Sequence, residues 1–244
     1  MNQTNSEHSI PKIFSYTLEF VSDIFWPKKC IVCTCRTPLG RKAALCDDCR
    51  AKIKKLSFNF VEPDRYFEEA IAALPYEGNI RDAMIRYKFS GYKYLGDAFS
   101  EALGICLEDY DLSDHSVICP VPIHRLRNRE YNQSLVIAEN ISEILGIPLC
   151  PDLLVKVKNL TPFSKMGYEM RSASVKGAID FNLKYDIFGK SILLLDDIYT
   201  TGSTTDECAK ILRMHGAEKV TVLAACYADV KGGEYYGDAD NISL

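Results

Sequence analysis

The sequence predicts an α/β protein, a parallel sheet flanked by helices and preceded by a small cysteine-rich module. Three observations predict it. Strand-like and helical stretches alternate from about residue 66 onward, two Cys-x-x-Cys pairs stand close together near the N-terminus, and the apolar run Ile192–Leu195 ends in two aspartates. Strands joined through helices pair in parallel with right-handed crossovers, and an unbroken apolar run is a strand buried on both faces.

At 244 residues the chain has room for one α/β domain of ordinary size and a small accessory module. Hydrophobic residues make up 47% and charged residues 25%, which excludes global disorder, and a net charge of −4 excludes a uniformly basic nucleic-acid coat. The first dozen residues are polar, and Val220–Tyr227 is far too short to span a bilayer. These features predict a cytoplasmic protein without membrane insertion, its ten cysteines in reducing surroundings where clustered thiols more often bind metal than form disulfides.

Residues 1–26 read as a tail and an amphipathic helix, with apolar side chains at 13, 14, 18, 21, 24 and 25 and Pro27 as its stop. Residues 27–60 read as the module. Cys30-x-x-Cys33 and Cys46-x-x-Cys49 are separated by twelve residues. Each pair can sit on a tight knuckle, so that four thiolates surround a tetrahedral Zn²⁺. Cys35 is a fifth candidate that could replace Cys33, and unrelated thiols are the plainer alternative. Zinc capture by such segments stabilises them by roughly 10–16 kcal/mol, which offsets a core too small to fold alone.

From residue 66 to 230 the pattern is that of the α/β domain. A strand at 70–76 precedes helices at about 79–89 and 95–109; Ser116–Cys119 is a short buried strand, and Asn132 or Ser134 caps a helix ending at Gly146. Residues 157–178 lack a clean period and read as a mobile loop. Next come the strand in KSILLLDD, a helix at about 203–215 and the strand KVTVLAACYA, with a tail at 231–244.

The sharpest chemical signal is Asp196-Asp197-Ile198-Tyr199-Thr200-Thr201-Gly202-Ser203-Thr204. Two carboxylates stand where a central strand ends, and hydroxyls with a glycine follow as a helix begins. Backbone N–H groups at a helix start bind a phosphate, and open α/β sheets bind ligands at the carboxyl ends of their strands. Acids and a phosphate cradle this close together suit a ribose 5-phosphate. A Walker arrangement fails, because Lys184 stands where a phosphate loop needs glycine and the segment precedes its strand.

This stretch resembles the phosphoribosyltransferase signature. The resemblance implies that Asp196 and Asp197 are catalytic and hold the ribose 2′- and 3′-hydroxyls. It gives the 5′-phosphate to Thr200, Thr201, Gly202, Ser203 and Thr204, and has Mg²⁺ bridge pyrophosphate and sugar. Together with FVSDIFWPKKCIVC, with Lys88-Phe89-Ser90-Gly91 and with PVPIHRLRNREYNQS, the chain from about 18 to 228 resembles the ComF/GntX family of competence-associated proteins. Those are type I phosphoribosyltransferase-like domains behind a zinc ribbon. Arg125, with Arg127 and Arg129, follows a buried strand and can meet pyrophosphate or a nucleic-acid backbone. Thr161 and Arg171 match the family's flexible loop. Glu130 stands where the family usually has glycine, and Ser164, Gly167 and Ser174 replace its usual residues.

The expectation is therefore a protein that binds phosphoribosyl pyrophosphate or a related nucleotide with Mg²⁺ and transfers phosphoribosyl to an acceptor the sequence does not identify. The alternative is a non-catalytic nucleotide- or single-stranded-DNA-binding module in DNA uptake, with competence proteins as partners. Its basic residues would be Lys28, Lys29, Arg36, Arg41, Lys42, Arg50, Lys52, Lys54 and Lys55, though only Trp26 and Phe58 supply stacking surfaces nearby.

Overall fold

A computed structural model describes residues 27–123, 131–156 and 179–228. The expected helix at 13–26, the loop at 157–178, the tail, and with them Arg125, Thr161 and Arg171, lie outside the described residues. The sheet has five strands in the order β1-β2-β7-β6-β3, formed by β1 (Phe58–Phe60), β2 (Glu69–Pro75), β3 (His115–Pro120), β6 (Ser191–Tyr199) and β7 (Lys219–Tyr227). All neighbours run parallel except β1, a three-residue antiparallel edge strand that the sequence pattern does not announce. A separate antiparallel pair joins β4 (Leu154–Lys156) to β5 (Ile179–Phe181).

The apolar runs explain the centre. Ile192, Leu193, Leu194 and Leu195 of β6 have no solvent exposure, nor have Val220, Val222 and Leu223 of β7. Helices cover both faces. On one lie α3 (Gly78–Phe89), α4 (Leu95–Leu107) and α5 (Gln133–Leu145), whose buried residues join Leu193, Leu195 and Leu223 in one cluster. On the other, α6 (Ser203–Met214) and the β4–β5 pair close over Ile192 and Leu194. Of the two cap candidates it is the side chain of Asn132 that caps α5, accepting from the Leu135 N–H at 3.3 Å, and Gly146 ends the helix with φ +68°, as the sequence predicts.

The cysteine-rich segment, with the short helices α1 (Asp47–Arg50) and α2 (Ile53–Leu56), does not stand apart. Cys30, Ile31, Leu45, Cys46, Cys49 and Ile53 belong to the same buried cluster as α3 and α4. Asn79 at the start of α3 donates to the Val32 carbonyl at 3.0 Å, tying knuckle to helix. Both sheet margins are occupied: β1 lies along β2, and beyond β3 the Ile118 N–H donates to Pro148 O while Cys150 N–H donates to Ile118 O, each at 2.8 Å. No helix among the described residues is long and apolar enough to cross a membrane.

Candidate functional site

The site lies near the C-terminal end of β6, which runs past the two acids to Tyr199 instead of ending at them. Strand alternation sends Asp196 and Asp197 to opposite faces, and each carboxylate is held differently. Asp196 Oδ1 accepts from its neighbour's N–H at 2.8 Å and from the Ser134 hydroxyl, at the start of α5, at 3.2 Å. Asp197 Oδ1 accepts from the ammonium of Lys88, at the end of α3, at 2.7 Å. Among the described residues the Oδ2 atom of neither aspartate has a partner. Two carboxylate oxygens are therefore left for a ligand, one from each residue.

Burial and the adjacent charge of Asp197 push the Asp196 carboxyl up to about 7, while Lys88, the Asp197 N–H and Ser134 oppose that rise. A carboxyl that holds its proton more tightly in the folded chain than in the unfolded one makes folding favoured by acid. That contribution is complete below the ordinary carboxylate range and is lost as the pH climbs to about 7. Asp196→Asn avoids the loss, so it is expected to melt on the order of 5 °C above the parent near neutrality and above, with the gap closing in acid. Calorimetric scans across that range check this.

Beyond Tyr199 the chain turns through Thr200 and Thr201 into Gly202, whose φ of +67° starts α6. A side chain at Gly202 would meet the Tyr199 hydroxyl at 2.6 Å, so the position needs glycine on two counts. The Thr201 and Ser203 hydroxyls lie 2.9 Å apart, and the Ser203 N–H donates to Thr201 Oγ1 at 3.3 Å. Thr205 is buried and donates to the Gly202 carbonyl at 2.9 Å. The N–H groups of Thr204 and Thr205 lie in the first turn, where no intrahelical acceptor exists, so the helix start presents donors to an anion.

A buttress behind this loop comes from the segment between β1 and β2. Arg65 donates to the Thr201 carbonyl at 3.0 Å and pairs with Glu62 and, at 3.7 Å, with Asp206. Tyr199 donates to Glu62 at 2.9 Å, and the Tyr66 N–H donates to Asp206 at 2.8 Å. Lys88, Ser134 and Arg65 are thus site or supporting residues that sequence reasoning missed. Lys88 carried a signal, the Lys-aromatic-x-Gly resemblance, without a role attached. Arg125 is not described, but the chain on either side of its segment is: Val121 N–H donates to Leu195 O at 2.8 Å, and Ser134 reaches Asp196.

Cys30, Cys33, Cys46 and Cys49 bring their sulfurs within 4.8 Å of one another. With Zn–S bonds of about 2.3 Å, a tetrahedral site has sulfurs about 3.8 Å apart, and Cys33 to Cys46 is 3.6 Å. The four-sulfur donor set fits zinc. Cys35 Sγ also lies 3.2 Å from Cys33 Sγ, and that hydrogen bond pushes its thiol up to about 12. Four of the nine basic residues expected around this module are answered by acids: Arg41 pairs with Asp47, Lys42 with Asp97, Arg50 with Glu101, and Lys54 with Glu108 and Asp109.

Residues 131–243 match the sequence profile of the phosphoribosyl transferase domain. The chain is 24% identical over 221 residues to "Competence protein F" of Haemophilus influenzae, covering 81% of this chain and 96% of that one. It is 32% identical over 154 residues to "Competence protein ComFC" of Streptococcus pneumoniae, covering 63% of this chain and 66% of that protein. Among solved structures, adenine phosphoribosyltransferase from Thermoanaerobacter pseudethanolicus covers 72% of this chain and 98% of its own, with a TM-score of 0.38 at 13% identity. The fold is type I phosphoribosyltransferase-like, with a four-cysteine cluster before it that fits a zinc ribbon.

Proposed function

Since the chain belongs to the ComF family, we propose that it binds phosphoribosyl pyrophosphate with Mg²⁺, transfers phosphoribosyl to an acceptor and serves competence. One observation carries the reading. The two uncommitted oxygens of Asp196 and Asp197 sit near one strand end, beside a glycine-started helix whose Thr204 and Thr205 N–H groups have no intrahelical acceptor. That pattern matches a vicinal diol and a phosphate on one small sugar.

In this reading Asp196 and Asp197 accept from the ribose 2′- and 3′-hydroxyls. Thr200 to Thr204 hold the 5′-phosphate, and Arg125 meets the pyrophosphate. The bond from C1 to the pyrophosphate oxygen breaks, its electron pair leaving with pyrophosphate. The acceptor's lone pair forms the new bond to C1, and the acceptor's proton passes to solvent. Bound Mg²⁺ supplies charge neutralisation on the pyrophosphate. The protein's own contribution is positioning, together with carboxylate charge beside a C1 that turns positive in the transition state. Thr161 and Arg171 belong to the loop that would cover the ligand. Zn²⁺ on the four cysteines is structural.

Titration calorimetry with phosphoribosyl pyrophosphate, with and without Mg²⁺, tests the reading. A hydrogen bond to a charged group contributes about 1.5–3 kcal/mol, so Asp197→Asn is expected to weaken binding by at least about tenfold. No heat of binding in the parent protein, or unchanged affinity in Asp197→Asn, sinks it.

A second reading, single-stranded DNA as the ligand, is favoured by a different surface from the one the sequence suggested. Tyr92 and Tyr94 are exposed with ring centroids 5.9 Å apart, and Lys93 lies 6.0 Å from the ring centroid of Tyr131. Aromatic faces beside cations suit unpaired bases. A salt-dependent shift with single-stranded DNA that Tyr92→Ala abolishes would support this reading; no shift at low salt would remove it.

A further inference from the structure

Lys88 is remote in sequence from the signature, yet its ammonium lies 2.7 Å from Asp197, with 13% and 9% of the two side chains exposed. Burying an ion pair costs desolvation that the attraction barely repays, so the pair adds little to stability. Its consequence lies in the carboxylate it holds.

The geometry around Lys88 is fixed from both sides. The Tyr87 hydroxyl donates to Gln133 O at 2.9 Å, the Tyr131 hydroxyl donates to Tyr87 O, and Gln133 Nε2 donates to Lys88 O at 3.3 Å. Gln133 directly precedes Ser134, which holds Asp196. One helix start therefore fixes both the residue that grips Asp196 and the backbone of the residue that grips Asp197. We infer that Lys88 is a positioning residue for the acid pair. It reserves one oxygen of Asp197, leaves the other facing the ligand, and offsets the repulsion between two adjacent carboxylates. This rests on the reading that the pair binds a ribose.

Among the described residues, Lys88 on α3 and Ser134 on α5 touch the pair, Tyr87 on α3, Cys208 on α6 and Cys226 on β7 interact with its charge, and Lys88 is the one cation of this group. Without Lys88, among the described residues, burial and the charge of Asp197 act on Asp196 against the Asp197 N–H and Ser134. The pair then keeps a proton to higher pH, and a protonated carboxyl is a poorer acceptor for a sugar hydroxyl.

The test uses the full chain as parent, Lys88→Arg and Lys88→Met, with two readouts. One is the affinity for phosphoribosyl pyrophosphate with Mg²⁺ from about pH 6 to about pH 9. The other is a ligand-free carbon-13 titration of the aspartate carboxyls. Lys88→Arg is expected to bind within about threefold of the parent, because it restores the charge and a donor. Lys88→Met is expected to lose at least about tenfold near neutrality and recover only as the pH rises, with the Asp196 carboxyl midpoint moved upward. A Lys88→Met protein with the parent's affinity and pH profile overturns the inference. So does a Lys88→Arg protein that fails as badly as Lys88→Met while the carboxyl midpoints stay put. If the parent itself binds no phosphoribosyl pyrophosphate, the ribose reading fails alone. The carboxyl titration then decides on Lys88: a midpoint moved upward in Lys88→Met supports its action on the pair, and an unmoved one overturns it.

Discussion

Gly202→Ala is expected to weaken phosphoribosyl pyrophosphate binding by about a hundredfold or more. Two charge-assisted N–H contacts to the phosphate would contribute at least about 3 kcal/mol together, and a displaced loop forfeits both. The displacement has two causes. Alanine at φ +67° costs roughly 1–2 kcal/mol in backbone strain, and its Cβ would stand 2.6 Å from the Tyr199 hydroxyl. Tyr199 cannot swing aside freely, because it donates to Glu62 and is buried against Phe60 and Phe67. Combining the change with Tyr199→Phe removes the nearest atom and leaves the ring carbon at 3.0 Å. The double variant should therefore recover part of the affinity, and calorimetry on the single and double variants checks both steps. Affinity in Gly202→Ala equal to the parent's would mean that this loop does not cradle the phosphate.

Removing zinc, by chelation or by Cys49→Ser, is expected to lower the melting temperature on the order of 10 °C or more. It should also do so as a single transition. The reason is the shared core: Leu45, Cys49 and Ile53 pack in the same buried cluster as Ala83, Met84 and Phe99 of α3 and α4. Once the metal is gone, the four cysteines, whose sulfurs lie within 4.8 Å of one another, take up protons and lose the bonds that hold the two knuckles together. Their loosening then exposes the face of α3 whose far end carries Lys88. Loss of zinc should accordingly weaken ligand binding at the strand end as well. A small separate unfolding step that leaves the main transition unmoved would contradict this.

The features legible in the sequence are those written in local pattern. The four-leucine-like run of β6, the Asn132 cap, the Gly146 stop and the two cysteine pairs each declare themselves within a few residues, and each has the expected place. The acid pair and the glycine loop were legible for the same reason. Lys88, Ser134 and Arg65 were not, because their bonds to Asp197, Asp196 and Thr201 cross 109, 62 and 136 positions. Nothing in a lysine at a helix end or a Glu62–Arg65 pair points to a loop that far away. β1, β4 and β5 escaped because three residues are too few to show an alternation. The basic cluster of the cysteine-rich segment was visible as cations, but their carboxylate partners Asp97, Glu101, Glu108 and Asp109 lie on or just beyond α4, out of reach of local reading.

The two occupied margins of the sheet bear on how the protein behaves at high concentration. A bare edge strand is a template on which another molecule can add its own strand, and assembly by that route ends in aggregates. Here β1 on one side is too short to template much, and on the other the Pro148–Cys150 segment takes up the Ile118 amide and carbonyl. Neighbouring molecules are thereby denied a continuous ladder to extend, so the strongly apolar β6 and β7 can sit at the centre of the sheet without making the folded chain prone to polymerise.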